Sequence, residues 1–259
     1  VACAAMTDLA DALDLSLEVG ELIQLSGGHT TRTIDSMERM AAALGAEESH
    51  VAISSVNVAM TVVAGSEKAT AGRHAGHFGI NFNTLTQIER LVSETEVNRL
   101  APAQVRSRLT LIRNAGRIYP AWLVMAALGG SSAAFAVLFG ASAPAAALAF
   151  LGGWAGAWVR HLLVARRLQP FVSVSAAAFV SALIVAGGGE VLGLDETLTA
   201  ALAASTLFLV PGVPMLNGTA DLLTAHYLNG MVKLAMSAVI IVAAAVGLTV
   251  AVSLVGALS

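Results

Sequence analysis

Residues 120–140 read PAWLVMAALGGSSAAFAVLFG, a run without a single Asp, Glu, Lys or Arg. An α-helix rises about 1.5 Å per residue, so this run reaches roughly 30 Å, the thickness of a bilayer's hydrocarbon core. Four more apolar runs follow, at about 144–164, 171–194, 198–216 and 231–258. Pro144 and Pro170 stand at run starts, where a missing N–H costs no helical bond. Gly152 and Gly156 form a G-x-x-x-G in the second run, a spacing that lets helices approach closely.

The rest of the composition agrees. The chain has 259 residues, 56% hydrophobic and 12% charged, with a mean hydropathy of +0.76. A soluble domain usually carries about twice that charged fraction, and most of the charges here precede Tyr119. The net charge is -3 and no basic tract interleaves with aromatics, so nucleic acid is not an expected partner. Cys3 is the one cysteine, which rules out an internal disulfide or a cysteine-rich zinc site. Val1-Ala2-Cys3-Ala4-Ala5 is not a charged segment leading an apolar core, so no signal peptide is expected, and a start without Met points to a trimmed chain.

Residues 1–118 read as a soluble α+β domain. Leu9, Leu13, Leu17, Leu22 and Leu25 recur at helical spacing, which predicts a helix over about 7–26. A second helix is expected over about 33–45, with Thr33 as N-cap and Gly45 as the stop. Strands are expected at 51–54, 58–63 and about 69–75, with Gly65–Lys68 as a hairpin turn. Helices over about 83–99 and 102–117 complete the domain, Pro102 suiting the first turn of the latter.

The loops orient the chain. Arg106, Arg108, Arg113 and Arg117 precede the first run; Arg160, His161, Arg166 and Arg167 separate the second from the third; His226 and Lys233 are read with the connection between the fourth and the fifth. The intervening loops carry no Lys or Arg, and the second of them holds Asp195 and Glu196. The alternation predicts a cytoplasmic N-terminus and an extracytoplasmic C-terminus.

Several residues are candidates for chemistry. Val210-Pro211-Gly212-Val213-Pro214 interrupts an apolar run, and Pro211, Gly212 and Pro214 should break the helix there. Transporters use such breaks as binding sites. Asn217 and Asp221 follow at i, i+4 and would share a face; the plainer reading is that the span ends at Pro211 and Asp221 caps a loop helix. Glu190, after three glycines, is a candidate for solute or proton coupling, or else simply reaches the outer surface. Arg160 and His161 read as topology determinants. In the soluble half Thr30, Arg32 and Asp35 lie in or beside a polar loop between two helices, where they either surround a ligand or serve as ordinary caps. His74 and His77 lack carboxylate or cysteine partners at metal spacing, so no metal and no cofactor is expected. There is no Walker A, G-x-S-x-G or H-E-x-x-H pattern, which argues against an ATP-driven pump and against the enzymes those motifs mark.

Two motifs resemble those of the threonine/serine exporter family, in particular its N-terminal component. The first is Ser26-Gly27-Gly28-His29-Thr30-Thr31-Arg32 with Asp35-Ser36-Met37-Glu38-Arg39 and a closing Leu44-Gly45. The second is Pro211-Gly212-Val213-Pro214 with Asn217-Gly218, Asp221-Leu222-Leu223, Tyr227 and Gly230. His29 stands where the family often has an acidic residue, and Thr31 where it has an aromatic. The resemblance covers almost the whole chain. It implies export of threonine, serine or other small hydrophilic metabolites, among them dicarboxylates such as succinate. Some members fuse ten spans in one chain and others divide them between two five-span subunits; five runs here imply the divided type.

The sequence therefore predicts a multi-pass inner-membrane protein: a cytoplasmic α+β domain over 1–118 followed by an all-α bundle of five transmembrane helices over 119–259. It predicts a secondary exporter subunit, not an enzyme, working as a homo-oligomer or with a separate five-span partner. Asn217 and Asp221 are expected to contact solute or protons, and Asp221→Asn to spare stability while lowering export. The rival readings are a membrane-anchored enzyme with its site in residues 26–38, and a scaffold whose spans only anchor it.

Overall fold

The computed structural model describes residues 2–54, 56–76, 79–115 and 118–258, and for residues 2–8 and 195–197 the backbone alone. His77 and Arg117 lie outside the described residues, as do the side chains of Cys3, Asp195 and Glu196. The chain forms two compact units: Val1–Gly116 with Gly212–Leu234, and Arg117–Pro211 with Ala235–Ser259.

The first unit is built around α1 (Ala2–Leu25). Its leucines divide between two faces. Leu9, Leu13 and Leu17 pack on the sheet with Val58, Met60 and Val62. Leu15, Val19, Leu22 and Ile23 pack on α3 (Phe82–Asn98) and α4 (Pro102–Asn114) through Leu85, Ile88, Val92 and Leu109. The two apolar faces of α1 are thus both buried, and the acidic residues Asp11, Asp14, Glu18 and Glu21 share what remains of the helix surface. Beside it α2 (Thr30–Ala43) sends Met37 and Ala41 to the sheet side and Met40 to the helical side. The sheet is an antiparallel meander of β1 (Glu48–Ile53), β2 (Asn57–Ala64) and β3 (Glu67–His74). Ala64 pairs with Glu67, so the hairpin turn is Gly65-Ser66, shorter than expected, and the third strand starts two residues early.

Helix α2 begins a turn before its expected start. His29 is the N-cap, its Nδ1 accepting from the Arg32 N–H at 3.2 Å. Thr33 lies within the first turn and its hydroxyl donates to the His29 carbonyl at 3.0 Å. A histidine is not among the usual N-caps, so sequence favoured the threonine. Gly45 does stop the helix, with φ +103.

The arginines of α4 are committed within this unit. Arg106 pairs with Asp11 and Asp14, Arg113 with Glu18 and Glu21, and Arg108 with Glu94. Arg73 on β3 joins the same row through Asp14 and Glu21. Burial raises the Asp14 pKa, but hydrogen bonds from Arg73 and Arg106 outweigh it and hold the carboxyl below its ordinary range.

The second unit comprises α5 (Ala121–Leu138), α6 (Ala143–Ala165), α7 (Pro170–Leu192), α8 (Asp195–Thr206) with a 3-10 turn at Leu207–Leu209, and the later part of α10 (Tyr227–Gly256). Its core is mostly alanines, among them Ala136, Ala149, Ala177, Ala178 and Ala201, with Val174, Val185 and Leu209. The G-x-x-x-G pair is spent inside the chain. A Cβ on Gly152 would lie 2.7 Å from the Ser181 carbonyl oxygen, and one on Gly156 2.8 Å from that of Ala177. These glycines therefore seat α6 on α7 and are not an outward-facing oligomer contact.

Among the described residues four helices are long and apolar enough to cross a membrane: α5, α6, α7 and α10. A fifth span exists only if Leu198–Leu209 and Gly212–Leu223 count together as one broken span. The chain is thus a mostly helical membrane protein with, among the described residues, four or five candidate spans and a small three-stranded sheet. The thirty residues of α10 amount to about 45 Å, more than a bilayer core needs. Its first turns, through Leu234, belong to the first unit.

Candidate functional site

The two quoted motifs meet in the first unit. At Pro211 the apolar run breaks as its proline predicts: Val210 is extended, and α9 (Gly212–Leu223) starts afresh with Pro214 in its first turn. Asn217 and Asp221 do fall on one face of a helix. The loop Ser26–His29 stands opposite. Gly27 has φ +88, a left-handed conformation open to glycine, and this bend leaves its carbonyl free to accept from Asn217 Nδ2 at 2.7 Å.

Asp221 is 0% exposed and its carboxylate is fully engaged. Oδ1 accepts from the Thr30 backbone N–H at 3.0 Å, and Oδ2 from the Thr30 hydroxyl at 2.9 Å. Lys233 Nζ lies 2.7 Å from Oδ2. Thr30 is the first residue of α2, so the carboxylate sits at the positive end of that helix, where unpaired N–H groups attract an anion. Asp221 caps neither its own helix nor a surface loop; it binds the amino end of a helix 191 residues earlier in the chain.

Lys233 reaches it because α9 and α10 touch backbone to backbone. A Cβ on Gly230 would lie 2.7 Å from the Gly218 carbonyl oxygen, and one on Gly218 3.1 Å from that of Gly230. The turn between the helices is tight: Ala225 has φ +64 and the His226 N–H donates to the Asp221 carbonyl at 2.8 Å. Asn229, four residues before Lys233, donates from Nδ2 to the Thr30 hydroxyl oxygen at 3.3 Å and to the Ile53 carbonyl at 3.1 Å. Thr31 and Thr224 join the same contact, hydroxyl to hydroxyl at 3.2 Å.

Of the sequence candidates, Thr30, Asn217 and Asp221 thus converge. Arg32 turns aside to Glu89, and Asp35 is exposed and paired with Arg39. Glu190 belongs to the second unit, where it is exposed near the carboxyl end of α7. Lys233 and Asn229 escaped sequence reasoning. Their signal was the same i, i+4 spacing that marked Asn217 and Asp221, hidden because Lys233 read as a loop charge before the last span.

His29 borders the cluster. Burial holds its imidazole below the ordinary value, and the Arg32 and Lys233 charges push the same way against the Asp221 and Glu89 carboxylates. As an N-cap acceptor it needs a bare Nδ1, which also favours the neutral ring. Among the described residues no group of His, Cys, Asp or Glu converges as metal ligands would.

Comparison with known proteins agrees with the two motifs. A family profile described as "Putative threonine/serine exporter" matches residues 14–255. A Klebsiella aerogenes protein named "Probable succinate transporter subunit YjjP" is 30% identical over 218 residues, covering 84% of each chain. The Escherichia coli K12 protein of the same name is 28% identical over 242 residues, 93% of this chain and 94% of the relative. No solved structure matches.

Proposed function

The chain belongs to the threonine/serine exporter family, and on that premise we propose that it is the cytoplasmic-domain-bearing subunit of a two-part secondary exporter for small carboxylate-bearing metabolites. Residues 1–118 form the cytoplasmic domain, with which Gly212–Leu234 makes one compact unit, and 119–259 supply the five spans, the fourth broken at Pro211. The N-terminus is cytoplasmic and the C-terminus extracytoplasmic. A second five-span subunit completes the pathway; the relatives are themselves named as subunits. It acts as a carrier and not as an enzyme. Asn217 and Asp221 belong to its working site, together with Thr30, Asn229 and Lys233.

The observation that carries this reading is the buried Asp221–Lys233 pair beside the broken span, held against the amino end of α2. Ionic groups so deeply buried are costly and are characteristic of solute and ion pathways. The charge balance also speaks to the solute. Asp221 and Lys233 cancel, and so do Arg32 and Glu89. A zwitterion such as threonine or serine keeps the site neutral, its ammonium pairing with Asp221 and its carboxylate with Lys233. A dicarboxylate such as succinate, the solute in the relatives' name, would leave two negative charges uncompensated.

Proteoliposomes holding this chain with a five-span partner, loaded with radiolabelled L-threonine or succinate, test the proposal. Threonine efflux should exceed succinate efflux at equal concentration and require both subunits. Absence of efflux for either solute would remove the exporter reading, and faster succinate efflux would remove the zwitterion.

A further inference from the structure

The donors around Asp221 form a set that any carboxylate would fit. The Thr30 N–H meets one oxygen; the Thr30 hydroxyl and the Lys233 ammonium meet the other. A helix amino end with a lysine beside it is a ready anion seat. Here the anion is a side chain of the protein itself.

Asn229 gives an independent sign that this tenant is not the best fit. It is 6% exposed, and among the described residues its Oδ1 has no hydrogen-bond partner. Turning the amide over does not help, because Nδ2 is required by the Ile53 carbonyl, which can only accept. An orphaned buried acceptor costs on the order of 1–3 kcal/mol. Asp221, an acceptor only when ionised, has nothing to give it. A ligand with a hydroxyl or ammonium next to its carboxylate would satisfy both the seat and the orphan.

The tenant is also mounted on a part that can leave. Helix α9 has 12 residues and a joint at each end: the extended Val210 before Pro211, and Ala225 at positive φ. Among the described residues, the polar ties of α9 and the turn after it to the loop and α2 are Asn217 to Gly27, Asp221 to Thr30, and Thr224 to Thr31. Releasing them does not require α2 to unfold.

We propose that Thr30, Lys233 and the amino end of α2 form a carboxylate-binding seat, with Asp221 as an internal occupant that the carboxylate of an exported solute displaces as α9 swings away. This deepens the exporter reading and rests on it for the identity of the ligand. Exchanging one carboxylate for another leaves all three donors satisfied, so Lys233 is not left buried and unpaired at the end of the exchange.

The test uses the full chain in detergent. Asp221→Ala empties the seat, and thermal unfolding is followed in sodium acetate and in sodium chloride at equal ionic strength. Acetate should raise the melting temperature saturably, by about 3–5 °C near saturation, relative to chloride. Wild type should show no acetate effect, and neither should Asp221→Ala combined with Lys233→Met. An acetate effect no larger than that of chloride overturns the seat.

A second measurement covers the case in which Asp221→Ala does not fold. With Asp221 intact and Cys3→Ser, the pair Thr31→Cys and Thr224→Cys, at positions whose native hydroxyls are 3.2 Å apart, reports α9 leaving α2. L-threonine or succinate at saturation should slow their oxidative cross-linking at least about threefold, and a rate unchanged by both overturns the displacement. Efflux separates this idea from the transport reading. A chain that exports without an acetate or cross-linking effect loses the seat alone. A chain that shows both effects without export keeps a carboxylate seat and loses the exporter.

Discussion

The carboxylate of Asp221 and the backbone N–H of Thr30 lie 3.0 Å apart across 191 residues of sequence. That bond ties the segment after the Pro211 break to the first turn of α2, and Lys233 neutralises the charge it buries.

Asp221→Asn should therefore destabilise the protein, contrary to what a capping role would suggest. The amide removes the charge that Asp221 sets against the buried Lys233 ammonium, and breaking such a pair costs about 3–5 kcal/mol. Adding Lys233→Met should recover most of the loss, since an apolar side chain of similar shape has no charge to strand. A double-mutant cycle by thermal unfolding in detergent reads this directly. Additive losses would mean that the pair is not coupled.

Stability of the first unit should fall as pH drops from neutrality past about 6.5. The folded-state pKa of His29 lies below its unfolded value. The unfolded chain then binds the proton more readily, so the stability this group contributes is present above the ordinary value and is lost as pH falls toward the folded one. Protonation also removes the acceptor that caps α2. His29→Asn keeps a capping oxygen and cannot titrate, so it should flatten the stability profile between pH 7 and 5. An unchanged slope would exclude His29 as its source.

Gly152→Ala and Gly156→Ala should each lower stability by about 1–3 kcal/mol. Each new methyl meets a backbone carbonyl of α7, which cannot rotate away as a side chain can. The oligomeric state of the surviving protein, measured by light scattering, should not change. Loss of assembly with unaltered melting would show that these glycines face another subunit.

A fluorescent reporter that matures only in the cytoplasm, fused after Ser259, should stay dark, and one fused before Val1 should fluoresce. The long α10 fits this arrangement. Beyond Leu234 it retains about 22 residues, roughly 33 Å of helix, enough for one crossing.

Much of this protein was legible in its residues because the signals are local. Apolar run length announced α5, α6, α7 and α10, since helix rise and bilayer thickness are constants that one stretch of chain can be measured against. Proline chemistry announced the break at Pro211, and i, i+4 spacing put Asn217 and Asp221 on one face. What sequence could not give was the meeting of distant parts. No pattern says that His29, a poor capping residue in isolation, caps α2, or that Arg106 and Arg113 are spent on the carboxylates of α1. Asp221 binds Thr30 and Lys233 because Gly218 and Gly230 let α9 and α10 touch and because Gly27 bends the loop that faces them. Those are contacts between elements far apart in the chain, and only tertiary packing decides them, because each depends on the shapes of several segments at once.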